Sequence, residues 1–406
     1  MLAFACAFTM FAGAASFTDE ADINADNRDA VDLLTALNII QGYEDGSFDP
    51  DGTVTRAEMA KMIYTIRNGG NDDASAYETV TTSFTDISGH WAEGYIKYLQ
   101  NTGIVAGKSA TQFDPDSQVT TGEAMKMALA LGGYDEEHAG LTGISWLNNT
   151  VSLATTNGLT DDVASAIAGG CTRQDAAQIL SNTLTEVEAV LWSEFVSDFV
   201  YDGTNGLATG ARQSVGAKWM DLAIETGFIT KAPSPKTNPR GITFEWDDDD
   251  DGVYGESGET ITFRNSALDV SDLFGYEVKA VWNDDDRTAP NAVYGFYKTA
   301  DNESFDTVWK DVEKDGAKVK FDGKSYDLDK EFVVYADKAV YDDWDSSNFD
   351  KAALSDTVTF IDNDGDGDFD AAQVKTQAVA KDRLHRQQEH YDRGSGRPAG
   401  FLWHRL

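Results

Sequence analysis

The segment Asp362-Asn363-Asp364-Gly365-Asp366-Gly367-Asp368-Phe369-Asp370 places carboxylates at alternate positions, with a glycine sixth and an apolar residue eighth. That spacing matches an EF-hand-type calcium loop, in which alternate side chains turn hard oxygen ligands toward one cation. Position twelve is Gln373 in place of glutamate, and the flanking Thr357-Val358-Thr359-Phe360-Ile361 and Val374 read as strands. The expectation is a calcium ion held by Asp362, Asp364, Asp366, Asp368 and Asp370 in a loop that joins strands. A solvated acidic turn is the alternative. Asp247-Asp248-Asp249-Asp250-Asp251-Gly252 carries the same alternation with less specific neighbours.

Arg56 and Arg173 are the second chemical signal. Each follows a threonine, Thr55 or Thr172, at the start of an amphipathic pattern, where the helix macrodipole disfavours a cation. A planar guanidinium fork beside helix-start amides can receive an anionic group, whereas pairing with a nearby carboxylate is the structural alternative. Trp91 and Trp146 could stack on a sugar ring or pack at helix starts. His90 has no metal-ligand partner at helical spacing. The sequence contains no Gly-x-Ser-x-Gly elbow, phosphate loop or paired zinc histidines, so no catalytic residue is assigned. Carboxylates are too abundant for any two to be singled out as acid and base.

These residues sit in a chain of 406, with 70 acidic against 32 basic side chains, a net charge of −38 and a pI near 4.2. Such a field excludes a nucleic-acid binder working through general positive charge and disfavours anionic membrane surfaces. A hydrophobic content of 41% excludes a disordered acidic chain and suffices for two or three cores. Cysteine occurs only at Cys6 and Cys171, so no disulfide framework exists. Residues 1–16 are uncharged and apolar and end in Ala12-Gly13-Ala14-Ala15, which reads as a signal-peptide core and cleavage site. The basic segment that should precede it is missing, which points to a start upstream of Met1. Residues 381–406 reverse the charge balance with five arginines and three histidines, which reads as a shifted reading frame, with a basic interaction tail as the alternative.

Self-comparison exposes a three-fold repeat over residues 17–190. Phe48-Asp49-Pro50 leading to Val54-Thr55-Arg56-Ala57-Glu58 returns as Phe113-Asp114-Pro115 leading to Val119-Thr120-Thr121-Gly122-Glu123. A third copy keeps Cys171-Thr172-Arg173-Gln174-Asp175 without the Phe-x-Pro turn. Asn38-Ile39, Gly103-Ile104 and Gly158-Leu159 align upstream, and Trp91 and Trp146 open the second and third copies. Each copy reads as helix, turn, helix. Ala30, Val31, Leu33, Leu34, Leu37 and Ile40 recur at helical spacing, as do Met59, Met62, Ile63 and Ile66 behind the cap at Thr55. Thr55/Glu58 and Thr120/Glu123 are capping boxes, and Thr172/Asp175 is a shorter version. The methionine stripe reads as core.

Phe84-Thr85-Asp86-Ile87-Ser88-Gly89-His90-Trp91-Ala92 with Gly103-Ile104-Val105-Ala106-Gly107 resembles the S-layer homology module. So does Gly42-Tyr43-Glu44-Asp45-Gly46-Ser47-Phe48-Asp49-Pro50 with Thr55-Arg56-Ala57-Glu58. The resemblance implies an all-α, pseudo-three-fold repeat bundle whose grooves bind secondary cell-wall polymers, often pyruvylated, on Gram-positive envelopes. The family's binding arginine carries over to Arg56 and Arg173; the second copy has Thr121 there. Polymer-binding residues are therefore expected at Arg56, Arg173, Thr55, Thr172 and Trp91.

From Gly241 onward, short alternating runs such as Tyr276-Glu277-Val278-Lys279-Ala280-Val281-Trp282 read as strands between Asp/Asn/Gly turns. Acids outnumber bases there by more than two to one. The expected organisation is multidomain: signal peptide 1–16, repeats 17–70, 84–133 and 144–190, connector 191–240, acidic β-rich region 241–380 and basic tail 381–406. The β-rich region is expected to be antiparallel and sandwich-like. The implied function is noncovalent anchoring of an exported, non-enzymatic surface-layer or envelope protein to anionic wall polymer, with self-assembly open to it. No nucleic acid and no membrane insertion are expected. A repeat-anchored polysaccharide-active enzyme or glycan-binding adhesin is the rival reading.

Overall fold

The computed structural model describes residues 17–202, 212–232, 241–247, 258–264, 268–284, 293–299, 301–336, 339–341 and 357–375. The signal-peptide and basic-tail expectations, the Pro233-Ser234-Pro235 linker and Asp248 to Gly252 lie outside those residues. Two compact units divide the chain, one ending at residue 300 apart from residues 274–276, the other comprising those three and the remainder.

Six helices in the first unit form the three repeats: α1 (Arg28–Ala36) with α2 (Arg56–Arg67), α3 (Glu93–Asn101) with α4 (Thr121–Gly132), and α5 (Trp146–Thr156) with α6 (Arg173–Thr185). Each first helix stops in the same way. Asn38, Gly103 and Gly158 adopt left-handed φ of 57°, 75° and 73°, which the aligned positions require. The following amides then fold back: Ile39 to Leu34 O, Ile104 to Leu99 O and Leu159 to Ala154 O, all at 2.9 Å. The second helices start on Thr55, Thr120 and Thr172, each accepting from the amide three residues on. Glu58 and Glu123 complete reciprocal capping boxes, whereas Asp175 accepts from the amides of Ala164 and Ser165.

The repeats close on one another through a ring of backbone hydrogen bonds. Val54 N donates to Cys171 O at 3.0 Å, Cys171 N to Val119 O at 2.9 Å, and Val119 N to Val54 O at 2.9 Å. The third copy thus occupies the same place as the other two despite its missing turn. In repeats one and two the Phe-Asp-Pro turn hangs on a carboxylate: Asp19 accepts from Phe48 N and Asp49 N, and Asp86 from Phe113 N and Asp114 N. Burial pushes both carboxyls up, but those amides outweigh it and hold them below their ordinary value.

The all-α expectation for the N-terminal part is corrected by the strands in the same unit. A hairpin of β1 (Val190–Ser193) and β2 (Asp198–Tyr201) follows α6, then α7 (Val215–Met220) leads into β3 (Leu222–Lys231). With β4 (Gly241–Trp246), β5 (Thr260–Arg264), β6 (Glu277–Asn283) and β7 (Val293–Lys298), β3 makes an antiparallel sheet ordered β5-β4-β3-β6-β7. Val281 and Tyr297 of this sheet share one buried cluster with Val31, Leu34 and Ile63 of the repeats. The physical reason is that α1 has apolar surface left over after repeat packing, and the sheet covers it. Gly295 lies where a side chain would meet Ala36.

The second unit holds β8 (Glu303–Val308), β9 (Glu313–Asp315), β10 (Lys318–Phe321), β11 (Lys324–Ala336), β12 (Ala339–Tyr341), β13 (Thr357–Asp362) and β14 (Phe369–Lys375). Their order is β8-β13-β14-β11-β10-β9, with β12 on β11. The purely antiparallel expectation fails here too, because β11 and β14 run parallel with a register shift between Leu328 and Val333. Val319, Phe321, Phe360 and Phe369 fill the core on one face, with Phe321 and Phe360 stacked at 5.3 Å.

One buried charge in α1 should report on folding. Burial pushes Asp32 up to about 7; Arg28 opposes the shift, and Asp29 and Glu20 add to it. The native state therefore binds this proton more tightly than the unfolded state, and the group's contribution to stability falls as pH rises from about 4 to about 7. Asp32→Asn is expected to raise the thermal midpoint by several degrees at pH 8 and to leave it nearly unchanged at pH 4, measured by calorimetry.

Candidate functional site

The arginines do not stay within their own repeats. Arg56 opens α2 of the first repeat and reaches into the loop of the second, where Nε donates to Phe113 O at 2.9 Å and Nη2 to Ala106 O at 2.8 Å. Its Nη1 lies 3.4 Å from Glu123 Oε1, and the guanidinium covers the Phe113 ring at 4.5 Å. Arg173 makes the same reach from the third repeat into the first, from Nε to Phe48 O at 2.7 Å and Nη2 to Gln41 O at 2.9 Å. It covers Tyr43 and Phe48 at 4.7 and 5.0 Å. Thr121, wholly buried, takes the corresponding position in the second repeat. Burial pulls the Arg56 guanidinium below its ordinary value, while Glu123, Asp114 and Asp86 oppose the shift.

The first helical amides are engaged as well. Arg56 N donates to Ser117 O, Ala57 N to Pro115 O, Arg173 N to Gly52 O and Gln174 N to Pro50 O. With the third amide taken by Thr55 or Thr172, these helix starts stitch repeats together. Thr55 Oγ1 also bonds Glu58 at 2.9 Å.

Around Arg56 lies a groove of about 520 Å³ lined by Ile104, Ala106, Gly107 and Lys108 of the loop, by Glu123, Lys126 and Met127 of α4, and by Glu136, Leu141, Thr142, Gly143 and Trp146. Lys108 pairs with Glu123, Lys126 pairs with Glu136 at 2.6 Å, and Lys126 Nζ lies 5.7 Å from the Trp146 ring. Burial pushes Glu123 up, but bonds from Lys108 and the Thr120 amide and the charge of Arg56 hold it below its ordinary value. Lys108 and Lys126 were not among the expected binding residues, and Trp146 entered only as a ring that could stack on a sugar or pack. Their signal was the repeat alignment, which sets Lys108 against Tyr43, Lys126 against Lys61 and Trp146 against Trp91. Trp91 is 55% exposed, beside His90 at 5.4 Å and Tyr95 at 6.2 Å, and does not line the Arg56 groove. His90 Nε2 meets Asp116 at 3.2 Å.

The acidic loop joins β13 to β14. Oxygens of Asp362, Asp364 and Asp370 lie within 4.8 Å of one another, whereas Asp366 and Asp368 are not part of that group. Asp362, buried, accepts from Gly365 N at 2.7 Å and Gly367 N at 2.9 Å; both glycines have left-handed φ. Asp370 accepts from Asn363 N at 2.8 Å, and burial, with Asp364, Asp362 and Asp329 adding, pushes it up to about 6. Gln373 points elsewhere and donates to Phe274 O. Three converging carboxylates supply part of the six to eight oxygens calcium takes.

The S-layer homology domain model matches residues 16–60 and 83–125, the first two rungs of the ring. The chain carries S-layer homology repeats and is a cell-surface protein. It is 26% identical over 284 residues to a middle cell wall protein of Brevibacillus brevis, covering 67% of this chain and 26% of the relative. It is 27% identical over 340 residues to a surface layer protein of Brevibacillus choshinensis, covering 75% and 29%. An amylopullulanase of Thermoanaerobacterium thermosulfurigenes is 29% identical over 171 residues, 39% of this chain and 9% of that protein. The chain thus spans between a quarter and a third of the first two relatives. Among the described residues no helix is long and apolar enough to cross a membrane.

The arginine geometry predicts unequal costs. Removing one partner of a buried, hydrogen-bonded charge costs about 3–5 kcal/mol. Arg56→Ala is therefore expected to lower unfolding free energy in urea by about that amount, and Arg173→Ala, whose side chain is only half-buried, by clearly less.

Proposed function

We propose that the S-layer homology repeats hold this protein to the cell wall by binding an anionic wall polymer, and that it serves as a surface-layer or envelope component and not as an enzyme. The Arg56 groove carries the reading. It gathers cations and an aromatic ring into one concave site on a chain of net charge −38. Long-range repulsion between two anionic polymers is screened beyond about 8 Å at physiological salt, so attraction has to be local, as it is in this groove. The relatives' names, a cell wall protein and a surface layer protein, support the same reading. Arg56 lines the groove, Arg173 holds the equivalent loop of the first repeat, Thr55 and Thr172 cap the helices that carry them, and Trp91 offers an exposed ring at the position equivalent to Trp146. The amylopullulanase likeness favours, as a second reading, an enzyme carried on the same anchor.

We also propose that Asp362, Asp364 and Asp370 hold calcium, with backbone or water oxygens completing its shell. The ion would offset the repulsion between these carboxylates and stabilise the second unit.

Sedimentation with Brevibacillus brevis walls tests the anchoring. The protein is expected to pellet with untreated walls and to stay in solution once their secondary polymer has been removed chemically. Pelleting with stripped walls would place the receptor in peptidoglycan or protein. For calcium, the thermal midpoint is expected to rise by several degrees in millimolar ion and to fall back with chelator. An unchanged melt would leave the loop a solvated turn.

A further inference from the structure

The β1–β2 hairpin carries apolar surface that the fold leaves uncovered. Its four-residue turn, Glu194 to Ser197, leaves Phe195 96% exposed and Val196 half-exposed. The turn is fixed: Ser197 holds a left-handed φ of 55°, and its amide donates to Ser193 O at 2.8 Å. The base is fixed as well. Trp192 stacks on His138 at 4.0 Å, and Phe199 packs against Trp192 and Tyr134 at 5.3 and 5.0 Å. Gly133 lies so close to Val190 O that a side chain there has no room. A braced stem thus holds an uncovered phenylalanine in solvent, which marks an interaction site.

Charge decides what the tip can meet. Between Glu188 and Asp202 the hairpin has no lysine or arginine, and Glu194 and Asp198 flank the exposed pair. Anionic polymers and anionic lipid surfaces are therefore repelled. A second copy is repelled over most of its surface too, because the chain carries −38. The third repeat is the exception, since residues 139–160 contain no charged side chain. Ile144 is fully exposed just ahead of α5, whose exposed Asn148, Asn149, Ser152, Thr155 and Thr156 are all uncharged. The corresponding helices carry Arg28, Asp29 and Asp32 in α1, and Glu93 and Lys97 in α3. This stretch opposes an acidic tip with no carboxylate of its own, whereas two tips meeting each other would bring four together.

Resting on the surface-layer reading above, we infer that Phe195 and Val196 of one copy dock on Ile144 and the uncharged face of α5 in a second copy. Tip and receiver are different surfaces, so the contact is heterologous and builds open rows instead of closing as a dimer. It is also small. One phenylalanine buries about 200 Å², and a stable interface needs about 1,200 Å² in all. The contact therefore holds only between copies that the wall anchor keeps side by side, at an effective concentration on the order of millimolar.

The test places the photoreactive residue p-benzoylphenylalanine at position 195 of the full chain. Irradiated on Brevibacillus brevis walls, it is expected to give dimers and longer ladders, with the far end of each crosslink in residues 140–156 of a second copy. The same protein free in dilute solution is expected to crosslink at least about tenfold less. Ile144→Asp on the probe-bearing chain should cut the ladder about tenfold while leaving wall pelleting and the thermal midpoint unchanged, and Asn148→Asp serves if that variant misfolds. Crosslinks that run to residues 194–197 or to wall polymer, a ladder that survives in both folded variants, or no ladder among copies that do pellet overturns the contact and leaves the anchoring reading intact. A chain that does not pellet with walls overturns the anchoring reading and this inference with it.

Discussion

Val54, Val119 and Cys171 are almost completely excluded from solvent, so their amides must find partners inside the protein. Each finds the carbonyl of another repeat, and the three bonds close into a ring. No repeat can satisfy this requirement alone, because every donor and its acceptor belong to different copies. The helix starts extend the same logic outward, with first-turn amides and two arginines seated on carbonyls of a neighbouring loop. The grooves are therefore products of ring closure: an arginine from one repeat forms the floor under the loop of the next.

That construction commits the arginines to holding the fold. With donors spent on loop carbonyls, the guanidiniums hold those loops in place, and Arg56 helps to keep Glu123 ionised. The lysines, more exposed and each shared with a single carboxylate, can exchange partners at little cost. Positive charge is thus gathered into a short-range site on a net-negative chain.

Much of the ring was legible in the sequence because its devices are local. A threonine three residues before Glu58 or Glu123 specifies a cap within one turn, and Asn38, Gly103 and Gly158 mark helix ends through backbone sterics. The apolar stripes of α2, α4 and α6 all proved buried. What escaped was non-local. Nothing near Arg56 announces that it bonds Phe113, or near Arg173 that it bonds Gln41, so the helix-start amides were read as free for a ligand. The strands after residue 190 carried a readable alternation, but not the information that one set would join the repeat core and another would pair β11 with β14 in parallel. Lys108 was invisible as a groove residue because only the fold brings it to Glu123 beside Arg56.

Amide hydrogen exchange on the intact protein tests the ring most directly. If closure of the three repeats is the cooperative event, the amides of Val54, Val119 and Cys171 should be among the slowest to exchange. They should share one opening free energy, and Arg56→Ala should lower all three together. Fast exchange at Cys171 while Val54 and Val119 stay protected would show that the third repeat opens independently, and the account of the grooves as products of a closed ring would be wrong.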